Sequence, residues 1–267
     1  MNLRRFVSGA LLIPLVSIPA YYGGPLYFVL ILAISVMALY EYDELMRSGG
    51  YLPPRRWGVL LILILLADAA FPGNNIARSG LPLFVMLTLA LILHDRDLTG
   101  ALINWALMLA GAIYIGVLLS QAIVLRELET VGLALSALAA LTTWATDSFA
   151  LLFGLRFGKH RLAPRISPKK SWEGALGGGA VGVLVGVTWG FFTLPSIPLY
   201  HLFALSLIIV VGGMFGDLVE SMIKRQVGAK DAGGLIPGHG GVLDRIDSMM
   251  FAFPLTALYA VWILQLK

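Results

Sequence analysis

A chain of 267 residues with 58% hydrophobic and only 13% charged residues is no ordinary soluble domain, in which about a quarter of residues carry charge. Its formal net charge is +4, and it has no cysteine, which excludes disulfides, thiolate metal ligands and a cysteine nucleophile. The four histidines, His94, His160, His201 and His239, are too scattered for a zinc motif.

Crossing the hydrocarbon core of a bilayer takes about 20 apolar residues in a helix, and the chain is a succession of such runs joined by short polar loops. The expected fold is all-α, a polytopic membrane protein of about nine spans: 7–22, 25–44, 58–71, 81–94, 101–124, 131–154, 174–193, 199–222 and 246–264. The first run follows two arginines but has no small-residue cleavage site and is succeeded at once by another, so it reads as a retained helix and not a signal peptide. The third and fourth runs look short. Backbone polar groups cannot go unpaired in lipid, so runs of this length must be helices. Nothing marks off a soluble domain; residues 1–267 form one membrane domain, with 1–130 as a helical scaffold half and 131–267 as the half that carries chemistry.

With the N-terminus on the cytoplasmic side, 16 of the 19 lysines and arginines fall in inside loops, and only Arg78, Arg126 and Lys267 fall outside. The positive-inside rule therefore favours this orientation and an odd number of spans. Two inside loops, 155–173 and 223–245, carry ten of the 16 charges. Basic loops commonly do no more than anchor a protein to an anionic leaflet, so the weight falls on the acids beside them.

Asp147 lies in the sixth span and Asp217 and Glu220 in the eighth, in the halves nearest the cytoplasm. An aspartate at the centre of a span costs about 2.5–3.5 kcal/mol to insert, so it usually faces a cavity, a partner or an ion. On the eighth helix Asp217, Glu220 and Lys224 share a face. Glu220 and Lys224 are spaced for a simple salt bridge, whereas Asp217 has no basic residue within a turn. Asp244 and Asp247 open the ninth helix, where capping would account for one more easily than for both. Mg²⁺ takes one or two carboxylates together with water and phosphate oxygens, which these acids can supply. Between the eighth and ninth spans lies a glycine-rich loop whose N–H groups can turn inward as an anion nest, with Lys224, Arg225, Lys230 and Arg245 as positive charge. A polyphosphate suits it.

The ordered string Lys224-Arg225, Lys230-Asp231, His239-Gly240-Gly241 and Asp244-Arg245-Ile246-Asp247 resembles the signature of the phosphatidate cytidylyltransferase, or CDP-diacylglycerol synthase, family, with no departure across it. Asp147-Ser148, Phe157-Gly158-Lys159-His160, Leu162-Ala163-Pro164 and Ser167-Pro168-Lys169-Lys170-Ser171-Trp172-Glu173-Gly174 look like that family's upstream block. Two differences stand out. Leu151 occupies a place where many relatives have tyrosine, and Ser171 replaces a common threonine but keeps the hydroxyl. The resemblance is strong over 142–250 and mainly one of hydropathy before that.

Membership implies the reaction of CTP with phosphatidate to give CDP-diacylglycerol and pyrophosphate at the inner membrane, with the active site facing the cytoplasm. On this reading Asp217 and Asp244, with Asp247 after them, hold Mg²⁺, and a second, monovalent cation is compatible. Lys224, Arg225, Lys230 and Arg245 hold the triphosphate, and His239 is a further donor. Ser167, Lys169 and Lys170 face the lipid phosphate or the nucleotide. Asp231 orients Lys230 or caps a turn, and Asp147 is a second cation ligand or the partner of a buried lysine. No nucleic-acid partner is expected. Gly174, Gly178, Gly182, Gly186 and Gly190 form a bare stripe along the seventh helix, suited to packing within the monomer or to a homodimer, the form the family resemblance implies. Two rival activities fare worse: a transporter would spread its acids through the membrane, and a CDP-alcohol phosphotransferase would carry an Asp-x-x-Asp-Gly opening that is absent here. A purely structural membrane protein would have no need of the buried charges.

Overall fold

A computed structural model describes residues 3–94, 98–234 and 240–266, with side chains described from residue 13 onward. Arg96, His239 and Lys267 lie outside the described residues, as do the side chains of Arg4 and Arg5. The chain is almost wholly helical: α1 (Leu3–Tyr22), α2 (Gly24–Ser48), α3 (Arg55–Ala70), α4 (Ile76–Ile92), α5 (Ala101–Arg126), α6 (Gly132–Phe157), α7 (Trp172–Thr193), α8 (Leu199–Gln226), a short α9 (Leu243–Ile246) and α10 (Met249–Leu258), which runs on through one wider turn to Ile263. Each expected span coincides with a helix. Five of them, α2, α5, α6, α7 and α8, are long and apolar enough to cross a membrane, and Ile13–Tyr22, Ile76–Ile92 and Met249–Ile263 are shorter apolar stretches. Outward-facing Leu184, Phe192 and Trp262 are 65%, 76% and 75% exposed, side chains that belong in lipid and not in water.

Two element boundaries differ from expectation for local reasons. The fourth helix starts at Ile76 because Asp68, near the end of α3, accepts the Ala77 N–H at 2.8 Å and so caps the first turn. The ninth span begins as a separate turn, α9, and resumes as α10 after Asp247, whose Oδ1 accepts the Ser248 N–H at 2.7 Å. The basic loop before α7 holds a small antiparallel hairpin, β1 (Arg161–Ala163) and β2 (Ser167–Ser171), in an otherwise all-α fold.

The chain divides into two compact units, Met1–Val124 with Gln226–Arg245, and Leu125–Arg225 with Ile246–Lys267. In the first, Leu39 on α2, Leu61, Ile62 and Leu66 on α3, and Met108 and Ile115 on α5 are fully buried. The helices approach closely where a side chain is missing: Gly58 lies against Leu39 and Met108, and Gly111 lies under the ring of Tyr42. The Tyr42 hydroxyl donates to the Leu107 carbonyl at 3.2 Å.

In the second unit α7 packs along α6 and α8 through its glycine stripe. Gly174, Gly178, Gly182, Gly186 and Gly190 are all buried. A Cβ at Gly178 would meet the Ala150 backbone of α6, one at Gly182 would sit on the Thr146 hydroxyl, and one at Gly186 would collide with both Thr142 of α6 and Ser206 of α8. The stripe is therefore used inside the chain, as small residues on membrane helices commonly are. Leu135, Leu138, Leu202, Leu205, Ile209, Ala252 and Ala257 complete the core, and the Trp189 indole donates to the Ala134 carbonyl at 2.9 Å.

Gly186→Val forces a branched side chain into that contact. Overpacking costs about 1–3 kcal/mol, so the melting temperature of the purified protein in detergent should fall by several degrees, while Ala180→Val on the exposed face of α7 should leave it unchanged.

Candidate active site

In the second unit an acid of α6, an acid of α8 and one from the α9–α10 connection lie within electrostatic reach of one another and of one lysine. Asp217 sits about two-thirds of the way along α8, one residue after Gly216. A Cβ at Gly216 would run into the Asp247 carbonyl and press on the Phe251 ring at 3.0 Å, so the bare glycine is what lets the start of α10 lie directly on α8 beside Asp217. One turn earlier Gly213 faces Ser248 of the same connection and Thr143 of α6. Gly216 thus brings the start of α10 onto α8, with Thr143 of α6 and Ser248 in ordinary contact distance of Gly213 one turn away. The charge of Asp217 bears on both Asp147 of α6 and Asp247, and so does that of Lys170.

Lys170 arrives from the hairpin. Side chains of a strand alternate between faces, so the adjacent Lys169 and Lys170 of β2 point to opposite sides. Lys169 is exposed, whereas Lys170 is half-buried and forms an ion pair with Asp217 Oδ2. Asp217 Oδ1 receives a long 3.4 Å hydrogen bond from the Ser221 hydroxyl one turn along α8. The hairpin is held in place from three directions. Ser171 caps α7 by accepting the Gly174 N–H at 3.2 Å. Glu173 accepts the N–H groups of Lys159 at 3.0 Å and His160 at 3.2 Å and pairs with His160 Nδ1 at 2.6 Å. Arg225, at the end of α8, donates to the Ile166 carbonyl in the hairpin turn at 3.2 Å. Ser167 is half-buried at the start of β2, paired with Ala163.

Glu220 and Lys224 form the i, i+4 salt bridge expected from their spacing, and both are buried. Asp147 is exposed along α6. The lysine pairing with Asp217 was invisible in the sequence because 47 residues separate the partners. A signal was present all the same: a lysine pair in an extended segment must point one member to each side.

The first unit holds the other part of the motif. Asp244 Oδ2 accepts the N–H groups of Ala232 at 3.2 Å and Gly241 at 3.3 Å, closing the base of the glycine-rich loop. Lys230, Asp231 and Arg245 are exposed. Three acids of α2 that the motifs did not draw attention to are also here. Glu41 and Asp43 are buried, and Asp43 and Glu44 both pair with Arg55, at 3.0 Å and 2.6 Å.

Among the described residues no group of three or more His, Asp or Glu side chains converges into a ready-made metal cage. The donor chemistry nonetheless fits Mg²⁺, which needs only one or two carboxylates and completes its shell with water and phosphate oxygens.

A model of the cytidylyltransferase family matches residues 3–263. The chain belongs to that family. Its similarity to the phosphatidate cytidylyltransferase of Bacillus subtilis is 32% identity over 254 residues, covering 94% of each chain. The Staphylococcus aureus enzyme of the same name is 33% identical over 253 residues, 92% of this chain and 94% of that one, and the Staphylococcus saprophyticus enzyme 35% over 206 residues, 76% and 77%. The family expected from the loop motif is thus the family found, and the match extends through the N-terminal helices, where hydropathy alone had spoken.

The two lysines of this cytidylyltransferase's hairpin should separate on mutation. Losing one partner of a buried charge pair costs about 3–5 kcal/mol, less where the pair is part-exposed as here. Lys170→Ala should therefore cut turnover at least about tenfold, and Lys169→Ala, an exposed charge facing a phosphate, should lower it only about threefold, both read as label transferred from CTP into lipid. Similar losses in the two variants would remove the distinction.

Proposed function

We propose that this chain transfers a cytidylyl group from CTP to phosphatidate, giving CDP-diacylglycerol and pyrophosphate for phospholipid synthesis. The observation that carries the reading is the family match over nearly the whole chain. The cluster of Asp147, Asp217, Asp247 and Lys170 supports it, because a membrane protein keeps charged side chains on its apolar helices where it has chemistry to do.

In the reaction an oxygen of the lipid phosphate attacks the α-phosphorus of CTP. A new P–O bond forms, the bond from the α-phosphorus to the bridging oxygen breaks, and that oxygen leaves with pyrophosphate. The nucleophile is already ionised near neutral pH, so no strong general base is required. The difficulty is bringing two anions together, which makes positioning and electrostatics the main sources of rate.

Asp217, Asp244 and Asp247 are the residues that would hold Mg²⁺, which when bound offsets the negative charge of the phosphates. A monovalent cation beside it is compatible with the number of acids. Lys230 and Arg245, both exposed, are the side chains of the loop best suited to grip the triphosphate, with Lys224, Arg225 and His239 as further donors. Lys170 keeps the Asp217 carboxylate oriented and gives positive charge at the reacting end, while Ser167 and Lys169 are assigned to the lipid phosphate or the nucleotide. Asp231 orients Lys230, and Asp147 is the second carboxylate within reach of Lys170's charge.

The same reading places the protein in the inner membrane with about nine spans, the N-terminus and the active site facing the cytoplasm. The division of basic residues between loops supports this orientation. The protein acts as a homodimer with no nucleic-acid partner; because the α7 stripe is filled within the chain, a dimer would use another face.

Purified protein given labelled CTP, phosphatidate and Mg²⁺ should produce labelled lipid, and Asp217→Asn should lower turnover at least about 100-fold across a Mg²⁺ titration. Normal turnover in that variant would take Asp217 out of the mechanism. Cysteines placed singly at positions 52 and 198 of the cysteine-free chain test the orientation. Only the first should react with an impermeant thiol reagent applied from the cytoplasmic side, and the reverse pattern would invert the topology.

A further inference from the structure

Of the three acids of α2, none of them used by the proposed reaction, Glu41 is the one that is not paired with Arg55. It is 2% exposed, and its Oε2 accepts the N–H of Leu243, the first residue of α9, at 2.8 Å across 202 residues of sequence. Among the described residues its Oε1 is buried without a hydrogen-bond partner. Two glycines of the loop have their main chain pressed against this carboxylate. A Cβ at Gly233 would stand 2.9 Å from Oε1, and one at Gly241 would stand 2.8 Å from Oε2 and 3.0 Å from Asp244 Oδ2. Asp244 in turn binds the N–H groups of Ala232 and Gly241, so the two carboxylates grasp the same two edges of the loop. Gly240 enters this contact with φ +84°, a conformation that disfavours any side chain.

A leucine or methionine would fill the space on α2 without the cost of desolvating a carboxylate. The acceptor oxygen is what an apolar residue lacks. We infer that Glu41 is a positioning residue that fixes the base of the glycine-rich loop, so that the flanking Lys230 and Arg245 meet the nucleotide's phosphates in a preset arrangement. This rests on the reading of the loop as the triphosphate site. It touches no substrate, and its loss acts through the loop alone.

The test uses the full-length protein in detergent, with Glu41→Leu to keep the volume and remove the acceptor, and Glu41→Gln to restore an acceptor oxygen. Two readouts are taken: the rate of tryptic cleavage after Lys230, followed by mass spectrometry, and the separate KM values for CTP and phosphatidate. In Glu41→Leu, cleavage should accelerate at least about fivefold, and the KM for CTP should rise about tenfold with kcat and the KM for phosphatidate within about twofold of wild type. Glu41→Gln should lie within about threefold of wild type in both readouts. Unchanged cleavage in Glu41→Leu overturns the inference, as does a loss shared equally by both substrates. Faster cleavage with an unchanged KM for CTP leaves the anchor standing and overturns the triphosphate assignment. If Glu41→Leu does not accumulate, Gly241→Ala sets a methyl group against the same two carboxylates and should give the same pair of changes; wild-type values there overturn the inference equally.

Discussion

A carboxylate carried on a long apolar helix has to be compensated, and the ion pair of Asp217 with Lys170 is that compensation, around which the hairpin and its tethers are arranged. The lysine is carried on a short strand whose alternation turns it inward, and the strand is pinned by a helix cap at Ser171, by Glu173 gripping the preceding backbone, and by Arg225 holding the turn. Each tether uses a polar group at the end of a helix, where backbone donors and acceptors are otherwise unmatched.

Absent side chains matter as much as present ones. Gly216 lets the backbone at Asp247 come down onto α8, which brings that residue beside Asp217. The α7 stripe acts at larger scale, allowing α6 and α8 to close on either side of one helix. In lipid there is no hydrophobic drive between helices, so close packing and polar contacts carry the association, and glycine gives the closest approach.

The first unit reaches a similar end by a different route. Its loop is organised by carboxylates accepting backbone N–H groups, one from α2 and one from the loop's own Asp244. Loops of this kind expose positive side chains to an anion only if their own backbone is held still, since every degree of freedom retained must be lost on binding. Asp43 and Glu44, by contrast, are taken up by Arg55 and anchor the start of α3.

Much was decided by the sequence alone. Long apolar runs in a chain with so little charge have one solution in a bilayer, and the helices over those runs, five of them long and apolar enough to cross a membrane, followed from them because an isolated backbone must satisfy its own hydrogen bonds there. The Glu220–Lys224 pair was legible because helical geometry brings residues four apart together, and the family was legible because the loop motif is ordered and specific. Tertiary structure decided the rest: that Lys170 and not Lys169 meets Asp217, that the glycine stripe is spent inside the chain, that α9 parts from α10, and that Glu41 is bound to a loop 202 residues away. These depend on which faces of distant elements are brought into contact, and a local pattern encodes a face without naming what will cover it.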